Sequence, residues 1–99
     1  MEACLLTIFG PPALEETLVD WLLEEERIHG FSTAETFGRG ERQSSMTLLE
    51  QVTGRQRRIQ FLVQTDVETA AYLVQHMREN YQGTGLYYML TPVIESGRI

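Results

Sequence analysis

The chain has 99 residues, 42% hydrophobic and 9% aromatic, with a formal net charge of -6. That length provides one domain, 1–99, with one modest core; the composition excludes a disordered chain, and the negative charge excludes a general nucleic-acid binder. No run reaches the length of a membrane span, the start MEACLLTIFGPP lacks the basic region of a signal peptide, and the one cysteine, Cys4, cannot form an internal disulfide, so the expectation is a cytoplasmic protein without direct membrane insertion.

Ala3 to Phe9 reads as a strand with two apolar faces, Cys4, Leu6 and Ile8 on one and Ala3, Leu5 and Phe9 on the other, which places it in the middle of a sheet. Gly10-Pro11-Pro12 ends it and starts a helix, since proline suits a first helical turn. Leu14, Leu18, Trp21 and Leu22 then recur at helical spacing. Glu15 and Glu16 favour the positive end of the helix dipole, whereas Glu24, Glu25 and Glu26 lie near the wrong end. That acidic run is a solvated face, or else a surface that attracts a partner or a cation. Gly30 is placed to close the helix as a left-handed cap.

Phe31 to Phe37 is the second strand, with Phe31, Thr33, Glu35 and Phe37 on one face. The polar, glycine-punctuated stretch from Gly38 to Ser45 is a loop, and Met46–Val52 suits two turns of helix between Ser45 and Gly54. A connection this long has a function of its own or is disordered. Arg57 to Thr65 is the third strand, with Ile59, Phe61 and Val63 on one face and Arg58, Gln60, Leu62 and Gln64 on the other. Thr65 and Glu68 fit a capping box for a second helix whose apolar face is Val67, Ala70, Ala71, Val74, Met77 and Tyr81. Gly83-Thr84-Gly85 turns the chain into a last strand, Leu86 to Leu90, and Pro92, which donates no ladder hydrogen bond, belongs at a sheet edge or past its paired part.

The order βαββαβ with right-handed crossovers gives an α+β fold, a ferredoxin-like sandwich in which a four-stranded antiparallel sheet carries two helices on one face. The other face inherits Leu5, Leu62, a row of tyrosines and several polar groups, too large an apolar patch for a monomer, so an oligomer is expected. Charge is uneven as well. All eight basic residues are arginines, and five of them (Arg39, Arg42, Arg55, Arg57 and Arg58) fall in residues 39–58 against Glu41 and Glu50, leaving that segment at +3 and the remainder at -9. Arginine's planar fork matches phosphate or carboxylate, so the segment is either a solvated loop or an anion site. The Gly83-Thr84-Gly85 turn has the same two readings: a tight turn, or bare backbone N–H groups that let an anion approach.

With these residues in view the chain resembles the PII signal-transduction superfamily over essentially its whole length. Gly30 to Gly40 resembles the strand that ends in Gly-x-Gly before the long T-loop, so that the loop over 38–56 stands in the T-loop's place. The ending, Gly83-Thr84-Gly85, then Pro92-Val93, then Arg98-Ile99, resembles the family's C-terminal segment, with one extra residue between Gly85 and Pro92. The resemblance implies a homotrimer with an adenine nucleotide in each intersubunit cleft, lined by the T-loop base of one subunit and the glycine turn of its neighbour. Carried over by position, this points to Gly38, Gly40, Gly83, Gly85 and Arg98, and the expected ligand-binding set adds Arg39, Arg42 and Thr84.

Departures accompany the match. Leu86 stands where the family has a lysine, Glu41 and Arg42 replace an Arg-Gln pair, and the loop bears no modifiable tyrosine, its hydroxyls being Ser44, Ser45, Thr47 and Thr53. The chain is most similar to a small PII-like family often encoded beside heavy-metal efflux pumps, which implies a membrane transporter or other protein partner, met through loop 39–56. A second reading is a divalent-cation-tolerance protein of the CutA type, which shares the fold and would bind metal through Cys4, His29, His76 and the acidic run. Those residues lack the spacing of a strong metal motif. An enzyme is not expected, because no nucleophile–base pair stands out and Glu35 reads as a structural or cleft carboxylate.

Overall fold

Alternating side chains and two amphipathic stripes produce the expected order of elements in the computed structural model, which describes residues 2–39 and 55–99. The short helix expected over Met46–Val52 lies outside the described residues, as do Gly40 and Arg42. Strand β1 (Ala3–Gly10) is followed by a single 3-10 turn (Pro12–Leu14) and helix α1 (Glu15–Glu24). Strands β2 (Ser32–Gly38) and β3 (Gln56–Asp66), helix α2 (Val67–Asn80) and strand β4 (Tyr87–Pro92) complete the order.

The sheet runs β2-β3-β1-β4, and the pairs β1/β3, β1/β4 and β2/β3 are all antiparallel. This is the ferredoxin-like sandwich, with β1 inside the sheet and Pro92 on the edge strand β4, opposite Cys4. Directly paired residues share a face. Cys4, Leu6, Ile8, Ile59, Phe61 and Val63 therefore form one layer, on which the helices place Leu18, Leu22, Leu73, Val74 and Met77, all buried. Phe61 and Leu6 are fully enclosed at its centre.

Three local expectations shift. α1 stops at Glu24, and its last turn closes when the Glu25 amide donates to Leu22 O at 3.2 Å. Gly30 is no left-handed cap: it lies in the connection at φ +150. Three successive glutamates at the negative end of the dipole oppose further winding, and the core draws in Ile28 from the connection instead. α2 is capped by Asp66, one residue later than the expected capping box. Its carboxylate accepts from the Thr69 amide at 2.8 Å and from the Thr69 hydroxyl at 3.1 Å. Thr65 is still strand, paired with Cys4, and its hydroxyl is buried with no hydrogen-bond partner. The buried stripe of α2 is accordingly Ala70, Leu73, Val74 and Met77, with Thr69, while Val67 and Ala71 face solvent. The row of tyrosines divides, because neighbours on a strand point to opposite faces: Tyr87 takes the bare face with Phe9, and Tyr88 the helix side with Ile8.

Phe61→Ala removes the largest enclosed side chain and is expected to lower unfolding free energy by about 3–5 kcal/mol in urea titrations, since a four-stranded layer backed by helices collapses poorly around the void. A loss below about 1 kcal/mol would contradict this placing of the core. The Asp66 cap predicts a pH dependence. Hydrogen bonds from the Thr69 amide lower its carboxyl from the ordinary value of 3.8. The folded state therefore holds the charge more strongly than the unfolded chain, so the contribution is complete above the ordinary carboxylate value and is lost as pH falls through the depressed one. The stability gap between the parent and Asp66→Asn should close on acidification over that range; a constant gap would contradict the cap.

Candidate functional site

The antiparallel register brings the end of β2 and the approach to β4 to the same end of the sheet. Gly38 pairs with Gln56 on one edge, and Phe9 pairs with Tyr87 near the other. Between them, on the face without helices, lies a hollow of about 430 Å³ lined by Phe9, Gly38, Arg58, Gly85, Leu86 and Tyr87. Arg57 and Arg58 are adjacent on a strand and so point to opposite faces. Arg57 pairs with Glu35 at 2.9 Å on the helix side, where Arg55 also lies over the Phe37 ring at 4.2 Å. Arg58 turns into the hollow, donating to Gln56 Oε1 at 2.9 Å and to the Gly85 carbonyl at 3.5 Å.

Glycine has a distinct use at each wall. A Cβ on Gly38 would stand 3.3 Å from Arg58 Nε, so the bare backbone makes room for the guanidinium. Gly85, at φ +92, adopts a conformation that other residues enter only with strain, and Gly83 does the same at φ +79. Thr84 between them directs both its amide and its hydroxyl to the Tyr81 carbonyl, which ties the turn to the end of α2. Leu86, at the family's lysine position, bends inward over Gly10 and packs against the core. Tyr87 is 60% exposed, its ring tilted against Phe9 with centroids 6.4 Å apart. The arrangement offers a guanidinium, an accessible aromatic face and two stretches of unobstructed backbone, a combination suited to a planar ligand bearing an anionic group.

Of the residues expected to bind ligand, Gly38 and Gly85 line this hollow, Gly83 and Thr84 shape its turn, and Arg39 is exposed just past Gly38. The resemblance implies that the two glycine segments meet across subunits; within one protomer Gly38 and Gly85 line the same hollow. Arg98 belongs to the opposite end of the sheet. β4 ends against Cys4, Val93 donates to Ala3 O at 3.1 Å, and Ser96 accepts from Gln64 at 2.8 Å. Gln64 lies six residues along β3 from Arg58, about 20 Å at strand rise. Arg58, Phe9 and Tyr87 also line the hollow and stand outside the residues expected to bind ligand. Parity sets Arg58 on the face of Leu62; the register, which pairs it with Thr36 next to the Gly38–Gln56 pair, brings it to the hollow.

The residues named for metal do not converge. Cys4 is buried, and burial, with a smaller effect from the Asp66 charge, raises its thiol pKa, which disfavours the thiolate that a metal needs. His76 stacks on Trp21 with centroids 4.5 Å apart, and His29 lies in the connection after α1. No group of three metal-ligating side chains occurs among the described residues.

A family model described as a protein of unknown function (DUF3240) matches residues 1–99. A DUF3240 family protein from Shewanella baltica superposes with a TM-score of 0.79 at 18% identity, covering 100% of this chain and 98% of its own. CPII, a nitrogen regulatory PII-like protein from Thiomonas intermedia solved with ADP, AMP and bicarbonate, gives 0.74 at 15% identity, covering 100% and 97%. A PII-like signaling protein from Thermus thermophilus gives 0.66 at 20% identity, covering 94% and 90%. At these identities the likeness establishes the fold, a PII-like ferredoxin sandwich. No match was found among curated proteins.

Gly85→Ala meets no atom within 4 Å, so its cost is backbone strain alone, on the order of 1–3 kcal/mol, read from thermal or urea unfolding. Unchanged stability would show that the turn relaxes readily out of its positive φ.

Proposed function

The chain belongs to the DUF3240 family, and we propose that it is a PII-like regulatory protein whose three-copy assembly takes a small anionic effector, an adenine nucleotide foremost, into a cleft at the glycine end of each sheet. The effector state is passed to a protein partner, a membrane transporter of the heavy-metal efflux kind, through residues 39–56. The observation that carries the reading is the hollow in which Gly38, Arg58, Gly85 and Tyr87 meet on this fold. It supplies charge, stacking surface and open backbone where a nucleotide needs each of them.

Two further observations support it. The structurally similar CPII holds ADP and AMP, ligands with the ring-and-phosphate chemistry that this hollow suits. The sheet face around the hollow carries Leu5, Phe9, Leu62, Tyr87 and Met89 without helices above them, the kind of surface that other copies cover. Assembly also gives Arg98 a role. The chain leaves the hollow along β4, and Ser96 meets Gln64 toward the far end of β3, so Arg98 enters a cleft as the contribution of a neighbouring copy. No helix among the described residues is long and apolar enough to cross a membrane.

Calorimetry against ATP, ADP, AMP and a panel of divalent metals tests the reading. Heat with a nucleotide, weakening as salt is added, is the expected result; heat with metals alone would replace this reading by the cation-binding one. In the nucleotide case Arg98→Ala is expected to weaken binding about tenfold to a hundredfold while the assembly stays intact, because a charge-assisted contact is lost at an exposed chain end. Unchanged affinity would remove Arg98 from the cleft.

A further inference from the structure

We propose that Arg58 is an exchangeable anion receptor: it bridges the two glycine walls through the Gly85 carbonyl and gives up that carbonyl to the anionic group of the ligand. The inference rests on the nucleotide-type reading above and assigns the charge within it to a residue outside the set carried over by family position.

Arg58 is the member of the Arg57-Arg58 pair that strand parity turns into the hollow, and its guanidinium lies among Phe9, Gly38, Gly85 and Tyr87. One fork nitrogen holds Gln56 Oε1 at 2.9 Å, an ordinary hydrogen bond that orients the group from its own strand. The other reaches the Gly85 carbonyl at 3.5 Å, the outer limit of such a bond. A neutral acceptor at that distance is a weak competitor for a phosphate or carboxylate oxygen, which binds guanidinium more closely and about twice as strongly. The short bond to Gln56 can stay while the long one changes partner, so binding requires little reorientation of the side chain.

The walls fit this exchange. A side chain at position 38 would crowd Arg58 Nε, and position 85 is a glycine at positive φ with no atom within 4 Å of where a side chain would begin. The exposed Tyr87 ring offers a platform for the planar part of the same ligand. Release of Gly85 also loosens the tie between β3 and the turn that leads into β4.

The test compares AMP with adenosine, which differ by the phosphate, on the full-length parent and on Arg58→Gln and Arg58→Lys. Parental protein should bind AMP more tightly than adenosine. Arg58→Gln should weaken AMP by about tenfold or more and leave adenosine within about twofold; Arg58→Lys, which keeps the charge without the fork, should fall between. Circular dichroism and solution mass confirm that each variant is folded and assembled. Equal losses for AMP and adenosine, or no loss for either, would overturn the receptor role while leaving nucleotide binding in place. If the parent binds neither compound, the Arg58 assignment fails, while the nucleotide reading stands or falls with ATP and ADP.

Discussion

Two helices cannot cover both faces of a four-stranded sheet, and the rest of this molecule depends on that shortage. The covered face forms the core, in which Leu6, Ile8, Phe61 and Val63 meet Leu18, Leu22 and Leu73 with no exposed surface beyond about one per cent. The uncovered face carries Leu5, Phe9, Leu62, Tyr87 and Met89 among glutamines and threonines. Thr7, between Leu62 and Met89, is nonetheless buried by its neighbours. A face of this composition is neither a solvated surface nor a finished interior. Copies of the same chain are the occupant proposed for it, and the hollow at its glycine end then becomes a cleft between subunits.

The hollow and the bare face arise from one topological fact. In the order β2-β3-β1-β4 the end of β2 and the beginning of β4 lie at the same end of the sheet, with β3 and β1 between them. Glycines at both points keep the edges open, and Arg58 spans the gap from the inside. The polarity of the strands also explains why Arg98 stands elsewhere: β4 leaves the glycine end and delivers the C-terminal residues to the Ala3 end, where Ser96 meets Gln64.

Strand parity and helix stripes made the architecture readable from residues alone. Cys4, Leu6 and Ile8 alternate into the core as their spacing requires, and the Leu18 and Leu22 stripe settles on them. The misplaced details were those decided by competition between neighbours. Thr65 and Asp66 can both cap a helix; pairing of Thr65 with Cys4 kept it in the strand and left the cap to Asp66. Gly30 looked like a helix end, but the glutamate run and the pull of Ile28 into the core ended α1 earlier. The glycines of the candidate site are visible as Gly-x-Gly patterns, whereas Arg58 is one basic residue among five until the register places it on the face of Gly38, in the hollow that Gly85 also lines. Long-range pairing, which no local pattern encodes, made that difference.

The proposed account stands most directly on the mass of the protein in solution. Light scattering with sedimentation at micromolar concentration should give three times the mass of the chain, stable to dilution, because the bare sheet face requires cover that the two helices do not provide. A stable monomer would contradict the account. It would leave Tyr87, Met89 and Leu62 facing water and remove the intersubunit cleft to which Arg98 is assigned.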